Sequence, residues 1–166
     1  REHYRGLIAK LRDASPDIAL STDIIVGFPG ETAKDFEDTY RLLDEVGYHQ
    51  VFTFIYSKRE GTPAASMDDG TPREVIQQRF DRLVDLVQDK AFAANQKDLG
   101  TTVDVLVEGG SKRDDTLLTG KSPKNQTVHA AVPAGLSVES LTGQTVRVRI
   151  DEAKTWYLAG EVVDGA

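Results

Sequence analysis

The hydrophobic period of this chain changes at Gly100, and that change limits the folds open to it. Before Gly100 the apolar residues recur at helical spacing. Ile76, Phe80, Leu83, Val87 and Ala91 mark one long stripe running towards Asn95. After Gly100, Val103, Val105 and Val107 alternate with Thr102, Asp104 and Leu106, the pattern of a strand. A pattern with one period does not settle into the element of the other. The chain therefore reads as two domains, residues 1–98 and 99–166, for which 166 residues suffice.

The first domain alternates helix and strand. Tyr4, Leu7, Ile8 and Leu11 fall on one face of a helix over residues 2–14. Ile24-Ile25-Val26 has the β-branched composition of a buried strand, read here from Ile18 to Val26 and stopped by Gly27-Phe28-Pro29-Gly30. Thr32 is a good N-cap for the next helix, with Asp35 in a capping-box position. Phe36, Tyr40, Leu43 and Val46 give that helix its apolar face, and Gly47 ends it. Gln50 to Tyr56 reads as a second strand, and Thr71-Pro72-Arg73-Glu74 opens the long helix. This is an α/β order, in which sites gather at the carboxyl ends of the strands. Gly27 and Gly30 there either admit a ligand close to the backbone or make a plain turn. Arg59, past the second strand, either grips a carboxylate or phosphate or is a solvated loop residue. Two parallel strands do not readily stand alone, so a piece of a longer protein is expected.

Leu117 to Thr119, Val128 to Val132, Val146 to Ile150 and Trp156 to Val163 follow the strand at Val103. Turn signals at Gly109-Gly110, Ser122-Pro123-Lys124-Asn125 and Thr142-Gly143 separate them. Five short strands in so few residues predict a small β-barrel of OB type. This domain carries 7 Lys+Arg against 9 Asp+Glu, a net of −2, and the first carries 13 against 18, a net of −5. Neither is basic, which excludes strong non-specific attraction to nucleic acid. Any RNA contact must come from a local cluster. Arg147 and Arg149 share one strand face, Lys121, Lys124 and Asn125 flank one turn, and Lys154 sits in another. Together they would suit RNA phosphates and 2′-hydroxyls; apart they are solubilising charge.

The chain has no cysteine, so it holds no disulfide and no thiolate metal site. His3, His49 and His129 lack ligand spacing, and no metal site is expected. No nucleophile–base pair stands out, so no catalytic residue is assigned. Asp68-Asp69 and Asp114-Asp115 read as solvated turn residues. Neither a long apolar run nor a signal-peptide pattern is present, and a cytoplasmic location without membrane contact is expected.

Two stretches, Thr22-Asp23-Ile24-Ile25-Val26-Gly27-Phe28-Pro29-Gly30-Glu31-Thr32 and Phe54-Ile55-Tyr56-Ser57-Lys58-Arg59-Glu60-Gly61-Thr62-Pro63-Ala64-Ala65, resemble the radical-SAM methylthiotransferases. Residues 99–166 resemble the TRAM domain that ends those enzymes, and Arg79 falls where the family usually has arginine. Tyr56-Ser57, Arg59 and Gly61-Thr62-Pro63 favour the branch acting on N6-isopentenyladenosine in tRNA.

The resemblance implies an α/β + β architecture. The C-terminal part of a partial (β/α) radical-SAM barrel would occupy residues 1–98, and a five-stranded, OB-like TRAM barrel residues 99–166. It implies a parent enzyme that uses S-adenosylmethionine and two 4Fe-4S clusters to place a methylthio group on C2 of the prenylated adenosine beside the anticodon. The cluster ligands would lie in the N-terminal remainder of that protein, and this cysteine-free stretch alone would be inactive. Ile25, Gly27, Phe54, Tyr56 and Arg59 would border S-adenosylmethionine. Lys121, Lys124, Asn125, Arg147, Arg149 and Lys154 would contact a tRNA anticodon stem-loop. A methylthiotransferase for threonylcarbamoyladenosine or for a ribosomal protein is an alternative, as is an RNA-binding module without catalysis.

Overall fold

The computed structural model describes residues 1–67, 70–112, 114 and 116–164, so Asp68, Asp69 and Asp115 lie outside the described residues. It divides into two compact units, Arg1–Lys90 and Ala91–Ala166. The sequence pattern changes later, at Gly100. The last turns of the long helix nevertheless belong with the second unit, because Asn95 and Gln96 hydrogen-bond into it.

The first unit holds α1 (Glu2–Ala14), β1 (Ser21–Val26), α2 (Ala33–Val46), β2 (Gln50–Ile55) and most of α3 (Arg73–Gln96). β1 and β2 pair in parallel, from Ser21 opposite Gln50 to Val26 opposite Ile55. Ile18 to Leu20 do not extend β1, because β2 starts at Gln50 and leaves them no strand to pair with. The Leu20 carbonyl instead accepts from the N–H groups of His49 and Gln50. Thr32 caps α2 as expected: its hydroxyl accepts from the Asp35 N–H at 3.1 Å, and the Asp35 carboxylate accepts from the Thr32 N–H. Gly47 closes α2 in the left-handed region.

Ile8, Val26, Phe36, Leu43, Val46, Tyr48 and Leu83 form this unit's core, with Ile24 packed against it. Side chains alternate across a strand. Ile25, Phe52 and Phe54 therefore point away from that core and remain 53%, 46% and 51% exposed. Parallel sheets normally have both faces covered. Here the helices cover one, and the other stays open and apolar.

The second unit is a closed barrel in the order β3-β4-β5-β7-β6. Its strands are β3 (Thr102–Gly110), β4 (Leu117–Lys121), β5 (Thr127–Ala131), β6 (Thr145–Ala153) and β7 (Leu158–Asp164). All neighbours are antiparallel except β5 and β7. Inserting β7 between β5 and β6 is a crossover of the Greek-key kind. Val105, Val107, Leu118, Val128, Val146, Val148, Ile150 and Leu158 fill the interior, and Leu141 of the short α4 (Val138–Leu141) adds to it. β7 starts at Leu158 rather than Trp156. The Lys154 N–H donates to the Tyr157 carbonyl at 2.9 Å, which puts Trp156 and Tyr157 in the β6–β7 turn.

Among the described residues no helix is long and apolar enough to cross a membrane, and no group of His, Asp and Glu could hold a metal ion.

Gly160 sits where two strands crowd. A Cβ there would lie 1.9 Å from the Arg149 carbonyl oxygen, a backbone atom that cannot swing aside. Gly160→Ala should therefore cost roughly 3 kcal/mol, the upper end of overpacking effects. Gly6→Ala, in α1 with open space at its Cβ position, should be neutral or slightly stabilising. Thermal melts of the two variants against the parent chain check the contrast.

Candidate functional site

Past the carboxyl ends of β1 and β2 the first unit has a cavity of about 520 Å³. Ile25, Phe28, Phe54, Tyr56, Arg59 and Thr62 are among its lining residues. The volume lies within the range of small-ligand sites, roughly 300–1,000 Å³. Phe28 meets Tyr56 edge to face, with ring centroids 5.2 Å apart. The Tyr56 hydroxyl is buried and has no hydrogen-bond partner among the described residues. Such a group costs about 1–3 kcal/mol if it stays unpaired.

Ile25, Phe54, Tyr56 and Arg59 thus line one cavity. Gly27 does not line it. Gly27 adopts φ 75°, and a Cβ there would lie 2.7 Å from the Ile76 side chain. Its bareness admits α3, and no ligand is needed to explain it. The Gly27 N–H donates to the Glu31 carboxylate at 3.0 Å. The same oxygen accepts from Arg79 at 2.9 Å, and Arg79 also donates to the Glu31 carbonyl at 3.2 Å. Both side chains of this ion pair are largely buried, at 12% and 10% exposure. One carboxylate therefore fixes the glycine turn to α3 and shapes the wall from which Phe28 projects.

In the barrel the cations picked from sequence sit on two turns and one strand. Lys121, Lys124 and Asn125 sit around the β4–β5 turn and Lys154 in the β6–β7 turn, and buried side chains tie these turns together. Gln126 donates to Asn95 at 3.0 Å and to Asp98 at 2.7 Å. Asn95 donates to the carbonyls of Lys154 and Thr155, and Gln96 to that of Ala153. Asn125 adopts φ 61° within the first turn.

Arg147 and Arg149 stand on the outer face of β6. There Arg147 is opposite Asp104 in register, and Arg149 is opposite Glu161. The charges are mostly engaged. Lys124 pairs with Asp98 at 2.8 Å, Arg149 with Glu161 at 2.9 Å and Lys154 with Glu152 at 2.7 Å. The hydrogen bond that Lys154 donates to the Glu152 carboxylate holds its ammonium above its usual pKa. Lys121 donates to the Thr127 hydroxyl at 3.0 Å. Sequence reasoning missed Glu31, Asn95 and Asp98. Asn95 carried a signal, since it continues the Val87–Ala91 spacing as a polar residue at a buried stripe position.

Residues 96–163 match the TRAM domain family, so the barrel is a TRAM domain. The whole 166-residue chain is 51% identical to the tRNA-2-methylthio-N(6)-dimethylallyladenosine synthase of Geobacillus kaustophilus, of which it covers 30%. It is 49% identical over 99% of its length to the synthase of the same name from Bacillus cereus strain B4264, covering 31% of that protein. To that of Acetivibrio thermocellus it is 47% identical over 98%, covering 33%. The chain is thus similar over its whole length to these synthases and spans about a third of theirs.

Arg79→Met should destabilise the first unit by about 3 kcal/mol, because it leaves a buried carboxylate without its cation. Glu31→Gln keeps an acceptor for the Gly27 N–H and should cost less. A double-mutant cycle by denaturant unfolding should give a coupling above about 1 kcal/mol.

Proposed function

We propose that this chain is part of a tRNA methylthiotransferase that adds a methylthio group to C2 of N6-isopentenyladenosine beside the anticodon. In this reading the first unit supplies part of the S-adenosylmethionine wall and the TRAM barrel holds the tRNA anticodon stem-loop. The observation that carries it is the cavity lined by Ile25, Phe54, Tyr56 and Arg59, with its unpartnered buried hydroxyl, in a chain half identical to synthases of that name.

The cavity's donor set fits an S-adenosyl ligand. Phe28, Phe54 and Tyr56 offer rings against which a purine can stack, and Ile25 offers an apolar wall. The Tyr56 hydroxyl can donate to a ring nitrogen or accept from an amino group. Arg59 offers a fork for a carboxylate. When bound, S-adenosylmethionine supplies the radical chemistry; this chain's residues bind it, orient it and keep water from it. The chain has no cysteine and so contributes no cluster ligand.

The test is a chimera in which this chain replaces the matching segment of the Geobacillus kaustophilus synthase. It should form the methylthio product on tRNA bearing isopentenyladenosine. Within the chimera, Tyr56→Phe should weaken S-adenosylmethionine binding about fivefold, the value of one hydrogen bond. It should not lower the melting temperature, because no protein partner is lost. A chimera that is folded, loaded with clusters and inert on that tRNA would overturn the reading.

A further inference from the structure

The barrel carries a second cavity, of about 610 Å³, that none of the cations chosen from sequence lines. It opens on the outer face where Thr119 of β4, His129 of β5 and Ala159 of β7 stand side by side in register. Leu117, Thr119 and Ala159 give it a floor, and His129 and Tyr157 stand over them. The His129 and Tyr157 rings are 5.3 Å apart at 69° to each other. They make a corner, in which a flat ring lying on one face presents its edge to the other. Both are held in place. The Thr119 hydroxyl is 2.9 Å from His129 Nδ1, and Tyr157 belongs to the turn fastened by Asn95 and Gln96.

The rim carries the carboxylates of Glu108 and Asp114 beside Lys112, and that of Glu152, which is paired with Lys154 at 2.7 Å. The hydrogen bond from the Thr116 hydroxyl holds Asp114 below the usual carboxylate range. The Glu108 and Asp114 carboxylates can accept hydrogen bonds from amino groups on the edge of a base. The occupant that matches both walls and rim is therefore an aromatic ring bearing donors.

Resting on the reading of this barrel as an RNA-binding module, we infer that the cavity takes one unstacked nucleobase with an exocyclic amino group. The base stacks in the His129–Tyr157 corner, and its amino group faces the carboxylate rim. Adenine, cytosine and guanine each carry such a group and fit; uracil, which has none, fits worse. Single-stranded RNA recognition characteristically stacks bases on aromatic side chains in this way.

The 166-residue chain has one tryptophan, Trp156, which is 58% exposed and adjacent to Tyr157, so its fluorescence reports on the corner. Titration with hexanucleotides of A, C or U should change that fluorescence, with A and C acting at several-fold lower concentration than U. Tyr157→Leu and His129→Gln should each weaken oligo(A) binding about tenfold, and Tyr157→Phe should not. On the unaltered chain, oligo(A) should shift the ring resonances of His129 and Tyr157 in NMR spectra, a readout that needs no variant to fold. If RNA binds but those resonances stay put and folded Tyr157→Leu binds as tightly, the pocket assignment is wrong and the RNA-binding reading stands. If the chain binds neither hexanucleotides nor an anticodon stem-loop, both fall together.

Discussion

The geometry of the barrel's β4–β5 and β6–β7 turns depends on two buried polar residues, Asn95 and Asp98, which are 8% and 6% exposed. Burying an amide and a carboxylate costs free energy unless every group is paired, and here each finds partners. Asn95 holds the β6–β7 turn through two carbonyls and meets Gln126 from the β4–β5 turn. Asp98 takes Gln126 and Lys124 on its two oxygens. The result is a network in which neither turn can move without breaking hydrogen bonds inside the protein. It fixes Tyr157 and Trp156 on one turn and Lys121 and Asn125 on the other. It also consumes Lys124, whose charge then serves the fold.

The first unit uses a different device for the same end. Glu31 joins the backbone of the glycine turn to Arg79 on α3, and Arg79 in turn lies 5.7 Å from the Phe36 ring centre. The turn after β1 is thereby set against both α2 and α3. Phe28 and Tyr56 project from that fixed edge into the cavity, continuous with the open face of Ile25 and Phe54. An open apolar face and an unpaired hydroxyl are each costly for a free-standing domain.

Much of this was legible in the sequence because local chemistry decided it. The Thr32–Asp35 capping box, the Gly47 stop and the alternating valines of β3 and β6 each act within a few residues. The strand limits were less legible, because pairing partners set them. β1 starts at Ser21 because β2 begins at Gln50, and β7 starts after a turn that Asn95 holds from another element. Gly27 shows the same limit. Its position left both a ligand contact and a plain turn open, and the close approach of Ile76, nearly fifty positions away, appears only in the fold. The basic cluster drawn from sequence counted cations without their partners. Asp98, Glu152 and Glu161 are invisible as partners until the fold brings them within 3 Å. His129, ordinary by spacing, gains interest only from Tyr157 beside it.

Under the proposed function, those pairings leave the barrel to hold RNA by stacking and shape more than by charge. The most direct test is the salt dependence of binding between the 166-residue chain and an anticodon stem-loop carrying isopentenyladenosine. With Lys124, Arg149 and Lys154 already engaged by carboxylates, the slope of log affinity against log salt should be no steeper than about −2. A slope near −4, the value expected if Lys121, Lys124, Arg147, Arg149 and Lys154 all neutralise phosphates, would contradict the account.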